Sequence, residues 1–247
     1  MSSGLESPSS PDDLYFARGQ EVECFRPFMQ GDVLRGVDIP GVSPEEGDGE
    51  RFAMIMTHPC SMRRGSRPAP HLLAVRVREW DRPIPLVGWS GFFRVMPLPS
   101  LFPARPEANY AAVFETLGRI RSEELKHERR VACLSHDGVA LLQQRFVHDL
   151  TRVVVEKLKL LEHMVHVLDE AELQEDWTRG LLGHLPAGEL LEKLQLEIDR
   201  LDEFLDAKRE GGKSLREDLL NPGRRAGVHR AVHAEIRRRQ GNAPVIE

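Results

Sequence analysis

Residues 51–57 read Arg51-Phe52-Ala53-Met54-Ile55-Met56-Thr57, five apolar residues closed by an arginine on one side and a threonine on the other. A run this short, bounded by polar residues, predicts a buried strand. Working outward, comparable runs lie at Asp32 to Ile39 before it, and at Leu72 to Arg78 (LLAVRVR), Phe92 to Met96, Ala111 to Leu117 and Arg130 to Leu134 after it. Gly, Pro and charged residues separate them, and 14 of the 17 prolines fall before residue 111. Proline interrupts helix interiors and central strands, so this part of the chain is expected to be short strands and loops, a small barrel or strongly bent sheet.

The period then changes. Val139, Leu142, Phe146, Leu150, Val153, Leu158, Leu161, Val165 and Leu168 recur at three- to five-residue steps, and Leu190, Leu194, Ile198, Leu201 and Leu205 at three and four. These spacings predict two long amphipathic helices broken at residues 180–188 (GLLGHLPAG), with a third helix over Arg225–Gln240. The expected class is α+β, a small β-barrel followed by a long helical hairpin.

Hydrophobic residues at 40 % and charged residues at 30 % of 247 are ordinary for a globular chain and exclude wholesale disorder, a collagen-like chain and a membrane-embedded one. No apolar run approaches the roughly 20 residues of a membrane span, so no membrane partner is expected. Residues 1–14 are Ser/Pro-rich and acidic, unlike a signal peptide, and read as a disordered tail of a cytoplasmic protein. Cys24, Cys60 and Cys133 have no paired spacing and read as reduced thiols.

Charge divides the rest. Residues 15–155 are expected to hold the barrel and a packed helix. Residues 156–212 carry 7 Lys/Arg against 15 Asp/Glu and read as an acidic hairpin arm, while residues 213–247 form a basic helix and tail, with 8 Lys/Arg against 3 Asp/Glu up to residue 240. Arg224, Arg225, Arg230, Arg237, Arg238 and Arg239 either neutralise phosphates of RNA or DNA or dock on the acidic arm; sequence leaves both open.

The chemically richest stretch overlaps the end of the Arg51–Thr57 run: Thr57-His58-Pro59-Cys60-Ser61-Met62-Arg63-Arg64-Gly65. His58 has the proton affinity of an acid–base group near neutral pH, and Arg63, Arg64 and Arg67 are suited to phosphates. The alternative is a solvated basic loop. His58, Cys60, Cys133 and His136 are side chains that zinc accepts, but His-x-Cys is not a usual knuckle spacing and Cys133 sits in an apolar run, so no metal is assigned. No cofactor motif is present. Trp80 and Trp89 flank a Pro/Gly-rich loop and read as packing residues, with base stacking as the alternative.

Gly31-Asp32-Val33-Leu34, the Arg51–Thr57 run after a polar Gly-containing loop, Gly118-Arg119-Ile120-Arg121, and Leu134-Ser135 opening a helix together resemble the PemK/MazF-like toxins of toxin–antitoxin systems over roughly residues 29–155. The resemblance implies an SH3-like/PemK-like barrel and an endoribonuclease in which Arg51 holds the scissile phosphate. Thr57 and His58 are the candidate proton carriers. The strand LLAVRVR lacks the hydroxyl that the family places just after its third strand. The implied partners are RNA or DNA, an antitoxin or phage-defence protein, and a second copy in a homodimer. The alternative is a non-catalytic assembly subunit built on a degenerate toxin fold.

Overall fold

The computed structural model describes residues 4–42, 50–64, 66–85, 88–89, 91–209 and 211–241. Its strands are β1 (Tyr15–Arg18), β2 (Val33–Arg35), β3 (Phe52–Ile55), β4 (Arg63–Arg64), β5 (Arg67–Pro68), β6 (His71–Glu79), β7 (Val95–Leu98), β8 (Tyr110–Arg121) and β9 (Arg130–Leu134). The helices are α1 (Pro11–Leu14), α2 (His136–Thr151), α3 (Lys157–Leu182), α4 (Ala187–Asp206), α5 (Leu215–Leu219) and α6 (Arg225–Gly241). They divide into two compact units. One comprises residues 1–24, 28–63 and 68–164, the other 25–27, 64–67 and 165–247.

The first unit is α+β, a curled antiparallel half-barrel of seven strands in the order β1-β9-β2-β3-β6-β8-β7. The runs expected at 32–39, 51–57 and 72–78 are three neighbours in this sheet. It is an open half-barrel with β1 and β7 at its edges rather than a closed one. Register shifts that put extra residues in β1, β9 and β8 supply the curl, because each extra residue on one side of a ladder bends that strand. Residues of β6 alternate. Leu72, Ala74, Arg76 and Arg78 share one face, while Val75 and Val77 lie on the other. The first face carries a cluster of Leu34, Val37, Ile39, Ala53, Ile55, Met62, Leu72, Ala74 and Ile120. On the second face, Phe114 meets Phe146 of α2 edge to face at 5.5 Å between ring centroids.

The Gly31-Asp32 pair has a structural cause. Gly31 has φ +90°, and a Cβ there would lie 2.6 Å from Leu134 Cδ1. Asp32 is buried, accepts the Met29 N–H at 3.1 Å and pairs with buried Arg130 at 3.1 Å.

Three expectations are corrected. The supposed disordered tail is seated on α2 over its described part. Gln144 accepts the Glu6 N–H at 2.8 Å, and Arg145 donates to the Glu6 carbonyl at 2.6 Å. Ser10 and Asp13 form a capping box on α1, and Leu14 is fully buried. The first long helix is really two, α2 and α3, because Arg152 ends α2 in a left-handed conformation (φ 62°) and the β-branched run Val153–Val155 follows. The arm and the basic helix are likewise not separate domains, for α4, α5, α6 and the later part of α3 share one core.

That core, in the second unit, joins Leu173, Trp177, Leu201, Leu205, Leu215, Leu219, Val228, Val232 and Ile236. Residues 225–241 form the expected third helix. No helix among the described residues is long and apolar enough to cross a membrane.

Candidate functional site

Arg51 stands at the head of β3 on the same face as Ala53, and Ala53 pairs with Arg76 of β6. The β3–β6 pairing therefore puts Arg51 diagonal to Arg76 and, one step further along the register, across from Arg78. Arg51 and Arg76 line one pocket of about 320 Å³ together with the segment Val37–Val42 and Phe52. Arg76 is 9 % exposed, whereas Arg51 is half exposed and pairs with the exposed carboxylate of Asp38. Arg78 lies over the Trp80 ring, 5.7 Å from its centroid.

The pocket sits where β8 departs from its ladder. Ala74 pairs with Gly118 and Arg76 with Val113, so β8 has extra residues here. The Thr116 hydroxyl closes the gap, accepting the Arg76 N–H at 2.8 Å and donating to the Val113 carbonyl at 2.6 Å. A bulge of this kind re-aims neighbouring side chains without losing the backbone bond. Gly118 lies behind Ile39, one of the pocket's lining residues. A Cβ there would lie 2.4 Å from Ile39 Cγ2, so only glycine lets Ile39 settle on the sheet.

Thr57 and His58 are elsewhere. They follow the opposite end of β3, and six residues of extended chain separate Thr57 from Arg51, about 20 Å. Thr57 Oγ1 accepts the Leu73 N–H at 2.6 Å and so prolongs the β3–β6 ladder. His58 is exposed, and its Nδ1 accepts the Cys60 N–H at 3.3 Å, capping a turn over Pro59–Ser61. Partial burial of the Cys60 thiol raises its pKa, which disfavours the thiolate.

Arg63 is half-buried in β4, Arg64 follows it, and Arg67 is exposed in β5. Near Arg67, Asp199 of α4 has its pKa lowered by a hydrogen bond from Ser66, by Gln195 and then by the Arg67 charge. Cys133 is buried in β9 and Cys60 is exposed. Among the described residues no group of three or more His, Cys, Asp or Glu side chains is placed to hold a metal ion.

Most of the basic helix is occupied within its own unit. Arg224 pairs with Asp218 at 2.9 Å, Arg225 with Asp169 at 3.3 Å, and Arg238 and Arg239 with Glu235 at 2.6 and 2.9 Å. Glu235 is driven down to about 2, chiefly by the Arg238 hydrogen bond. Arg239 also lies over Trp177 at 4.7 Å. Arg230 and Arg237 are exposed and have no carboxylate within ion-pair distance among the described residues. Trp89 is fully buried under Arg145, so it packs and cannot stack on a base.

Sequence reading missed Arg76, Arg78 and Asp38 as site residues. The i, i+2 repeat of arginine in LLAVRVR was the available signal, since it places both on one face of a strand. No protein-family model matches the chain, and no curated protein matches it.

Proposed function

We propose that the half-barrel engages nucleic acid through Arg51, Arg76 and Arg78, as a PemK/MazF-like, toxin-related or defence-associated component. The observation that carries this reading is a pocket lined by two arginines, one of them nearly buried, on the face of a curled sheet. Guanidinium forks match phosphate oxygens in pairs, and a guanidinium removed from water binds an anion more strongly than an exposed one. Trp80 beside Arg78 offers an aromatic edge next to the phosphate path.

Binding is better supported than cleavage. Ribonucleases need a proton carrier at the scissile phosphate, and Thr57 and His58 lie a strand's length from Arg51. That separation favours a second reading, a non-catalytic assembly subunit that keeps the phosphate-binding face of a toxin fold.

Mobility-shift titration of single-stranded RNA and DNA tests the first reading. Affinity should fall steeply between about 50 and 200 mM salt, as counterion release requires. Arg51→Ala should weaken it about tenfold or more, the worth of one charged hydrogen-bonding partner. Absence of salt-sensitive binding would reject nucleic acid and leave the assembly subunit. RNA cleavage that survives His58→Ala and Thr57→Val would reject both as proton carriers.

A further inference from the structure

We propose that His229, His233 and Asp176 form a binding site for one divalent transition ion of the zinc class, which ties α6 to α3 and does not depend on what the half-barrel binds. The first ground is placement. His229 and His233 are four residues apart on α6, which puts both rings on one face of the helix, the spacing that two-histidine metal sites use. Helix α3 runs beside that face. Arg225 pairs with Asp169 at 3.3 Å before the histidines, and Gln240 donates to the Gly180 carbonyl at 2.9 Å after them. Val228, Val232 and Ile236 share a core with Leu173 and Trp177, so the seam is fixed on both sides of the histidines. Asp176 meets His233 across it, Oδ2 to Nε2 at 2.8 Å, and both side chains are half-exposed, which leaves an ion a path in.

The second ground is distance. Zinc holds imidazole nitrogen and carboxylate oxygen at about 2.0–2.2 Å, so two donors on one tetrahedral ion stand about 3.3 Å apart. His233 and Asp176 are already within about 0.5 Å of that separation. The ion takes the place of the proton that joins them: a neutral His233 keeps its proton on Nδ1, and an imidazolium releases one to solvent. Two imidazoles on one such ion have ring centroids about 5 Å apart, and those of His229 and His233 stand 6.4 Å apart, edge to face. As placed, no three of these side chains enclose an ion, and closure asks His229 to swing by about 1 Å through its own torsions. His229 makes no hydrogen bond among the described residues, so no polar contact is lost in turning. Glu172, one turn before Asp176 on the same face of α3, adds a second carboxylate to the seam, and the fourth position is left to water.

The test is isothermal titration calorimetry of the full-length, metal-free chain with zinc chloride at about pH 7, where imidazole is largely neutral. A single zinc should bind per chain. His229→Gln and His233→Gln should each weaken binding at least about tenfold, and Asp176→Asn should weaken it as well. Zinc should raise the melting temperature of the wild type and not that of the double histidine variant, because only the folded chain brings α3 and α6 together. Should His233→Gln fail to fold by circular dichroism, His229→Gln, at a ring with no hydrogen bond to lose, carries the test. Cys60→Ser should leave the affinity unaltered. Absence of zinc binding, or binding unchanged in both histidine variants, would overturn the proposal. Loss of binding in Cys60→Ser would overturn it by moving the ion to the exposed thiol, and magnesium binding as tightly as zinc would overturn it by reducing the seam to an acidic surface.

Discussion

His127 stacks on Phe28 with ring centroids 4.6 Å apart, in the neighbourhood of the Arg130 guanidinium. Burial first and the Arg130 charge second push its pKa down to about 4. An unfolded histidine titrates near about 6.5. Between those values the unfolded chain binds a proton that the folded chain refuses, so the stabilisation is complete above about pH 6.5 and is lost as pH falls towards about 4. In urea unfolding, the wild type should therefore lose up to about 3 kcal/mol more than His127→Phe between about pH 7 and 4. Parallel pH profiles would show that His127 contributes none of the acid sensitivity. Gly118 supplies a second test at this scale. Gly118→Ala should cost about 1–3 kcal/mol by overpacking against Ile39. Adding Ile39→Ala should recover part of that, a coupling that a thermodynamic cycle measures directly.

At the scale of elements, the break between α2 and α3 falls on one residue. Arg152 adopts φ 62°, a conformation that crowds any Cβ, and its i, i+3 pairing with Asp149 at 3.7 Å does little to offset the strain. An exposed pair of that kind is worth about 0–1 kcal/mol. Glycine at the same place removes the crowding at a cost in unfolded-chain entropy, so Arg152→Gly should change stability by no more than about 1 kcal/mol, in the stabilising direction. Arg152→Val, which adds β-branching to the strained position, should destabilise by at least that much, and far-ultraviolet circular dichroism during thermal unfolding reads both. If Arg152→Val is neutral, the left-handed cap is not what separates the helices. The β3–β6 pair is set by the same kind of local cause. The β3–β6 ladder is continued at one end by the Thr57 hydroxyl, while on the other side of β6 the β6–β8 ladder is interrupted at the Thr116 hydroxyl, and the arginine pocket forms beside that interruption.

For the whole molecule, the question is which of its cations face solvent. A net charge of -5 repels a polyanion at long range, so binding has to come from a local concentration of arginine. In the helical unit the basic residues are largely consumed by carboxylates. Arg216 alone meets Glu170, Asp202 and Asp206. In the half-barrel, the pocket lined by Arg51 and Arg76 has the carboxylate of Asp38 in its wall. The salt dependence of single-strand binding should report this difference. Arg51→Gln should flatten the slope of log K against log salt by about 0.7 for each phosphate that is no longer neutralised, and the double change Arg230→Gln with Arg237→Gln should leave it unaltered. An equal flattening in the double variant would place the C-terminal helix on the phosphate path instead.

Read by itself, the sequence determined the α+β class, the positions of β2, β3, β6, β8 and β9, and the helix over Arg225–Gln240, while the strand expected at Phe92–Met96 begins only at Val95 and runs to Leu98. Those properties follow from local periodicity, from proline placement and from short apolar runs, which a chain carries whatever its tertiary partners. It did not reveal β1, since Tyr15–Arg18 is too short to show a period and is a strand only because β9 pairs with it. Nor did it separate α2 from α3, where apolar spacing continues across a backbone break that only φ at Arg152 exposes. The candidate site was legible at Arg51 alone. Arg76 joined it through strand register, and Asp38 through the fold of the segment after β2, while Thr57 and His58, close to Arg51 along the chain, were carried away by the length of β3. Tertiary structure decided these because register and chain reversal bring together residues far apart in sequence, as Arg51 and Arg76 are, while an extended strand holds apart near neighbours such as Arg51 and Thr57.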